Sequence, residues 1–284
     1  MTTLPRTEAP PLLLTSRTLR AIGVPHAFST RAGGVSTGAF ASLNFGNPGD
    51  LAPESRDPAS NIHANWQILA VGIGAPDREI VQVHQVHGDE VLEVRQGRPA
   101  HTTTDGHDTR ADAIVTDDPG RLAAVRTADC VPLLLSTGDG RIVAAVHAGW
   151  RGVICGIAPA VVARMLNMAR SAGADADASH LAAAIGPCIS VEHFEVGPEV
   201  GAEFQRVFGA QTAHVRPSDN AGKCRVDLKA ALREQLMRAG MPAGRIDVLP
   251  ECTYAQQDLF FSHRRATHER RVTGRMASAI GPRR

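Results

Sequence analysis

Apolar residues in this chain fall mainly in short β-branched runs broken by turn residues. Residues 24–30, 113–115, 122–126, 131–135, 142–146, 181–185 and 246–249 read as strands on this pattern. Between 79 and 94, Ile80, Val81, Val83, Val86, Val91, Leu92 and Val94 alternate around Gly88, which predicts two strands or one bent strand. Helical spacing is rarer. Ile62, Trp66, Leu69 and Ala70 share a face, so a helix is expected over 61–71 with Ser60 or Asn61 as its cap. Helices are also expected over 152–169, 194–208 and 228–239, with Pro159 delaying or kinking the first. Residues 31–38 form a Gly-rich loop, 47–58 a Pro-rich one, and 97–110 an exposed polar one. Residues 1–20 show no period and read as a loosely held arm before a single domain over 21–284. Clustered strands without regular βαβ alternation predict an α+β fold: a layered α/β sandwich of mixed sheets with flanking helices.

Two neighbouring apolar runs carry chemistry. Cys130 opens one, in Thr127-Ala128-Asp129-Cys130, and His147 closes the other, in Val146-His147-Ala148-Gly149-Trp150-Arg151-Gly152. Gly138-Asp139-Gly140 turns the chain between them, a hairpin signal that brings thiol and imidazole together. Upstream, Val83-His84-Gln85-Val86-His87-Gly88 ends a strand-like run with a further imidazole. Two imidazoles and a thiolate on strand ends are either ligands of an open metal site or a nucleophile with its base.

Composition narrows the field. A formal charge of +1 gives no global field for nucleic acid or an anionic membrane, and the basic residues from Arg264 to Arg284 read as a solvated tail. No run approaches the ~20 apolar residues of a membrane span, and no secretory signal is evident. The five widely spaced cysteines lack a CxxC, which predicts free thiols and a cytoplasmic protein.

The motifs resemble those of the bacterial YfiH-type family, known as peptidoglycan editing factor, laccase-domain polyphenol oxidase and purine nucleoside phosphorylase. They are Phe28-Ser29-Thr30-Arg31-Ala32-Gly33-Gly34-Val35-Ser36, Ser42-Leu43-Asn44-Phe45-Gly46, Gln85-Val86-His87-Gly88, the Cys130 and His147 segments, Ile185-Gly186-Pro187-Cys188-Ile189, Cys252-Thr253, Phe260-Phe261-Ser262-His263-Arg264-Arg265 and Thr273-Gly274-Arg275. They run in family order over residues 28–275. The resemblance implies one domain similar to the catalytic domain of cytotoxic necrotizing factor toxins, and a Zn²⁺ or Cu²⁺ site held by His87, Cys130 and His147. Two stretches depart from the family pattern, the polar loop at 97–110 and the long basic segment from Ala266 to Val272.

These residues support more than one chemistry. A zinc ion with three protein ligands keeps a fourth position for water, whose pKa falls to roughly 7. That suits attack on a purine carbon or an amide carbonyl; the ion can also orient phosphate against a ribosyl carbon. Without metal, Cys130 serves as nucleophile, His147 as its base and His87 as an orienting group. A closed structural zinc site would need a fourth ligand such as His84, but in a strand His84 points away from His87. Arg31, Asn44 and Arg151 are the substrate-contact candidates: guanidinium binds phosphate or carboxylate, and Asn44 offers donor and acceptor to a ribose or base. Helix capping and pairing with acids are their structural alternatives. Asp129 is expected to orient a neighbour. His101, His107, His263 and His268 lie in polar loops and read as exposed.

The resemblance implies phosphorolysis of purine nucleosides, including methylthioadenosine, together with adenosine deamination, on small-molecule substrates without nucleic acid or membrane. An amidase removing L-Ser from muropeptide precursors is a second reading, and a binding protein with a vestigial metal site a third. Laccase chemistry ranks last among enzymes, because the chain has no H-x-H pair for a multicopper cluster.

Overall fold

The computed structural model describes residues 9–49, 51–97, 109–174 and 176–284. The start of the expected arm and most of the polar loop expected over 97–110 lie outside the described residues. Along the chain run β1 (Leu13–Leu14), α1 (Arg17–Ile22), β2 (His26–Ser29), α2 (Ala59–Gly72), β3 (Glu79–Val81), β4 (Val91–Val94), β5 (Ala113–Thr116), β6 (Arg121–Thr127), β7 (Val131–Ser136) and β8 (Val143–Ala148). Then come α3 (Trp150–Cys155), α4 (Ile157–Ser171), β9 (Ala182–Ile185), β10 (Glu195–Val196), α5 (Pro198–Phe208), β11 (Val215–Pro217), β12 (Cys224–Val226), α6 (Leu228–Arg238), β13 (Ile246–Val248), α7 (His263–Glu269) and β14 (Met276–Ile280).

The strands build a five-stranded sheet in the order β1-β2-β14-β6-β3 and a six-stranded sheet in the order β13-β9-β7-β8-β5-β4, beside a small β10-β12-β11 sheet. Both large sheets are mixed: β3 is parallel to β6, β4 to β5 and β13 to β9, and the remaining pairs are antiparallel. The period of two along each strand sorts its side chains into layers. Ala123, Val125, Leu134, Val143 and Ala145 fill the space between the large sheets. Leu133, Leu135, Ala144 and Val146 point the other way, onto Val153, Val161 and Met165 of α3 and α4. Ala124, Ala277 and Ala279 meet Phe45, Trp66 and Leu69 on the outer face of the five-stranded sheet. Burying each large side chain contributes about 1.5–3 kcal/mol. The result is the expected layered sandwich of mixed sheets with helices outside.

Several local expectations change. Residues 79–94 are two strands in different sheets, so the segment between them crosses from one sheet to the other. The helix expected over 152–169 is broken at Gly156, whose φ of 86° suits glycine, and Pro159 sits in the first turn of α4 where its missing N–H costs nothing. Pro58, with no side-chain cap bond, precedes α2 in place of Ser60 or Asn61. Helix α5 starts at Pro198, because Gly197-Pro198 disfavours a continuous helix from 194. The inner part of the supposed arm is packed: β1 pairs β2, and α1, capped by Ser16, buries Leu19 completely. Strand β14 and helix α7 carry no clear period in the sequence. Among the described residues no helix is long and apolar enough to cross a membrane.

Candidate metal centre

The β7–β8 hairpin places Pro132 opposite His147, with Cys130 one residue before the strand begins. His147 shares the face of Val143 and Ala145, so it looks into the space between the sheets. His87 arrives on the crossing segment after β3. Ligand atoms of His87, Cys130 and His147 all lie within 4.8 Å of one another. The two imidazoles meet edge to face at 4.7 Å. His147 is buried, Cys130 half-buried and His87 exposed, so the cluster is open on one side. Gly149 lets the chain pass close by: a Cβ there would lie 2.8 Å from His87 Cδ2 and 3.2 Å from Cys130 Sγ.

One buried carboxylate organises two of the three donors. Asp112 precedes β5, directly across from His147, whose N–H donates to the Asp112 carbonyl at 2.7 Å. Asp112 Oδ1 accepts from His147 Nδ1 at 2.7 Å and from the His87 N–H at 2.9 Å. Its Oδ2 accepts from the N–H groups of Val86 at 3.2 Å and Gly88 at 2.7 Å. These bonds hold His87 at φ 63°, a left-handed conformation that costs a non-glycine residue about 1–2 kcal/mol. Occupying Nδ1 of His147 leaves Nε2 as its free ligand nitrogen. Asp112 escaped the sequence reading. The signal was there, since a lone acid in phase with Ile114 must face the space between the sheets.

The electrostatics favour a thiolate. Burial raises the Cys130 thiol, but the charge of His147 and hydrogen bonds from His147 and His87 outweigh it and bring the pKa down to about 6. Burial lowers the His147 imidazole, yet Cys130 and Asp112 lift it to about 9. Burial likewise raises the Asp112 carboxyl, and the bonds from His147 and the Gly88 N–H hold it below its ordinary value. Without metal, Cys130 and His147 thus form a thiolate–imidazolium pair. An N,S,N donor set, with a carboxylate behind one imidazole and an open side, fits a zinc or copper ion.

The other expected residues take different places. His84 is exposed and outside the cluster. Asp129, at φ 87°, accepts from Thr253 Oγ1 at 2.6 Å, Ser262 Oγ at 3.0 Å and the Arg264 N–H at 2.7 Å, fastening segment 253–264 beside Cys130. Arg31 donates from Nε to the Ala41 carbonyl at 2.8 Å and from Nη1 to that of Gln257 at 3.2 Å, and lies over the Phe261 ring. Asn44 is sealed: its amide donates to Asp57 at 2.8 Å, and its oxygen accepts from the N–H groups of Gly46 and Arg275. Arg151 is exposed, stacked 4.3 Å from the Trp150 ring centroid, and makes no hydrogen bond or ion pair among the described residues. His263 and His268 are both exposed, and His268 bonds the Tyr254 hydroxyl at 3.2 Å. His101 and His107 lie outside the described residues.

Comparison with known proteins agrees with the motif order. Residues 25–283 match the model of the multi-copper polyphenol oxidoreductase laccase family. The chain is 37% identical to a purine nucleoside phosphorylase of Deinococcus radiodurans, covering 93% of this chain and 91% of that one. It is 35% identical to the purine nucleoside phosphorylase YfiH of Escherichia coli, covering 91% and 93%. Its fold matches the crystal structure of the Bacillus licheniformis hypothetical protein YfiH with a TM-score of 0.81 at 31% identity, over 97% and 98% of the two chains. YlmD from Geobacillus stearothermophilus matches with a TM-score of 0.78 at 30% identity, over 99% of both. By sequence and by fold, the chain belongs to the laccase-like YfiH family.

Proposed function

We propose that this chain is a cytoplasmic, metal-dependent purine nucleoside phosphorylase that also deaminates adenosine and cleaves methylthioadenosine. The observation that carries the reading is the convergence of His87, Cys130 and His147 on one open point, with Asp112 bonded to the His147 imidazole and to the His87 backbone N–H. The names of the relatives in Deinococcus and Escherichia support the substrate class. When bound, zinc or copper supplies Lewis acidity and an acidified water. The chain's own residues do the rest. Asp112 keeps the His147 proton on Nδ1, Cys130 enters as thiolate, and Arg151, stacked on Trp150, offers its guanidinium to phosphate or carboxylate at the end of the same hairpin. In phosphorolysis, phosphate attacks the ribosyl carbon as the glycosidic C–N bond breaks, giving base and ribose 1-phosphate. In deamination, water adds at the purine C6 and ammonia leaves.

The test uses purified protein. Adenosine with phosphate should yield adenine and ribose 1-phosphate, and adenosine alone should yield inosine. Each of His87→Ala, Cys130→Ala and His147→Ala should hold well below one metal per chain by elemental analysis. Full occupancy in Cys130→Ala removes Cys130 from the ligand set. A second reading, a cysteine-dependent amidase acting on L-Ser-containing muropeptide precursors, draws on the Cys130–His147 pair. It takes over if such a precursor is cleaved and nucleosides are not.

A further inference from the structure

Strands β9 and β13 run parallel, with Ile246, Asp247 and Val248 opposite Ala183, Ala184 and Ile185. Beyond them Gly186 and Pro187 lie on one chain and residues 249–251 on the other, and the chains meet again at a single parallel bridge. The partners in that bridge are Cys188 and Cys252, both free thiols. Backbone bonds fix the two segments here. The Leu249 N–H donates to the Ile185 carbonyl at 2.9 Å, and the Thr253 N–H to the Cys188 carbonyl at 3.0 Å. Lys229 Nζ donates to the carbonyls of Leu249 and Glu251 at 2.5 and 2.9 Å. Gln256 bonds the N–H of Cys252 through its side chain and the carbonyl through its own N–H.

Bridge partners project their side chains to the same side, and neighbouring strands lie about 4.8 Å apart. That spacing falls inside the roughly 4.4–6.8 Å between the α carbons of a disulfide. The sulfurs also share one peptide group. Cys252 Sγ accepts from the Ser190 N–H at 3.3 Å, reaching across the bridge, and Cys188 Sγ donates to the Ile189 carbonyl at 3.3 Å. Cys252 is half-buried and open to a small oxidant. Cys188 is sealed, and burial pushes its thiol up to about 12, so it waits as the protonated partner.

We propose that Cys188 and Cys252 are a reversible redox pair that closes to a disulfide under hydrogen peroxide. The Cys252 thiolate attacks one peroxide oxygen, the O–O bond breaks, and a sulfenic acid and hydroxide form. That hydroxide takes up the proton Cys252 gave away. The Cys188 sulfur then attacks the Cys252 sulfur, the S–O bond breaks, and the departing hydroxide takes the Cys188 proton. Two thiols are oxidised, one peroxide is reduced and two waters leave. The residues that follow the two cysteines both hold Asp129, the neighbour of Cys130: the Ile189 N–H donates to its carbonyl at 3.1 Å and Thr253 Oγ1 to its carboxylate at 2.6 Å. The disulfide thus clamps the wall beside the metal centre without consuming a metal ligand, and it does not depend on which reaction that centre performs.

Peptide mapping tests this on the purified protein. After peroxide treatment, free thiols are alkylated and the chain is cut with trypsin without reductant. Residues 171–206 and 246–264 are tryptic peptides with one cysteine each, Cys188 in the first and Cys252 in the second. They should appear joined, and dithiothreitol should separate them. The oxidised protein should melt a few degrees higher than the reduced one. Cys130→Ala should form the link as readily as wild type, whereas Cys188→Ala should show neither the link nor the rise. The map of wild type stands alone if a variant fails to fold. Recovery of Cys252 as the alkylated thiol, as a sulfinic acid or joined to another cysteine overturns the proposal, as does a link that forms only in urea.

Discussion

Replacing Asp112 by Asn keeps the shape of the side chain and removes one of its two acceptor oxygens. In the native site Oδ1 serves His147 and His87, and Oδ2 serves Val86 and Gly88. The amide must turn its NH₂ toward one of these pairs, so two buried donors lose their acceptor and face another donor. At about 1–3 kcal/mol for each unsatisfied buried group, the cost is roughly 2–6 kcal/mol. Part of it falls on the fold and part on the ligands, since the same bonds hold His87 at its positive φ. Loss of such a supporting carboxylate weakens metal binding by about 10–100-fold. Competition with a chromophoric zinc chelator reads the affinity, and chemical denaturation of the metal-free protein reads the stability. A folded Asp112→Asn protein that binds zinc within about twofold of wild type, with unchanged stability, would refute the idea that this carboxylate organises the centre.

Three further outcomes are expected. Gly149→Ala should weaken metal binding while hardly changing the melting of the metal-free protein, because the new Cβ strikes His87 and Cys130 and the backbone there (φ −72°) suits alanine; equal zinc affinity sinks this. Arg151→Ala should leave metal content and melting temperature unchanged and cut activity on the true substrate about ten- to a hundredfold, with Arg151→Lys recovering only part; wild-type kinetics would make the side chain incidental. His26 is buried, accepts from the Ser16 N–H at Nε2, and burial lowers its pKa below 6.5. The unfolded chain therefore protonates first, and stability should fall as pH drops below about 6.5, by up to about 1.4 kcal/mol per pH unit. Urea titrations at several pH values should show that His26→Gln loses this portion of the slope; an unchanged slope assigns it elsewhere.

The hairpin that brings Cys130 and His147 together was legible because apolar runs flank a Gly-Asp-Gly turn, and a strand period fixes which residues face one another. What composition and period cannot carry is the partner across a gap. Asp112 is separated from His147 by 35 positions, and only the β5–β8 register brings them together. Asn44 read as a substrate contact because its amide offers a donor and an acceptor, yet in the fold that amide bonds Asp57 and accepts from the N–H groups of Gly46 and Arg275. β14 was invisible for a different reason: the middle of Met276-Ala277-Ser278-Ala279-Ile280 is three small residues with little intrinsic strand preference. Those small side chains are what allow Ala277 and Ala279 to sit beneath Phe45 and Trp66.

The place of β14 sets an order of assembly. It follows every other strand along the chain, yet it lies between β2 and β6, pairing Ser278 with Phe28 across 250 positions. Until it emerges from the ribosome, the five-stranded sheet exists only as two separate pairs, each with a bare edge of unbonded N–H and C=O groups. Such distant pairing slows folding, and the waiting edges invite association with other nascent chains. A chain cut just before Met276 would lose the strand that joins both halves, although it would keep His87, Cys130, His147 and Asp112.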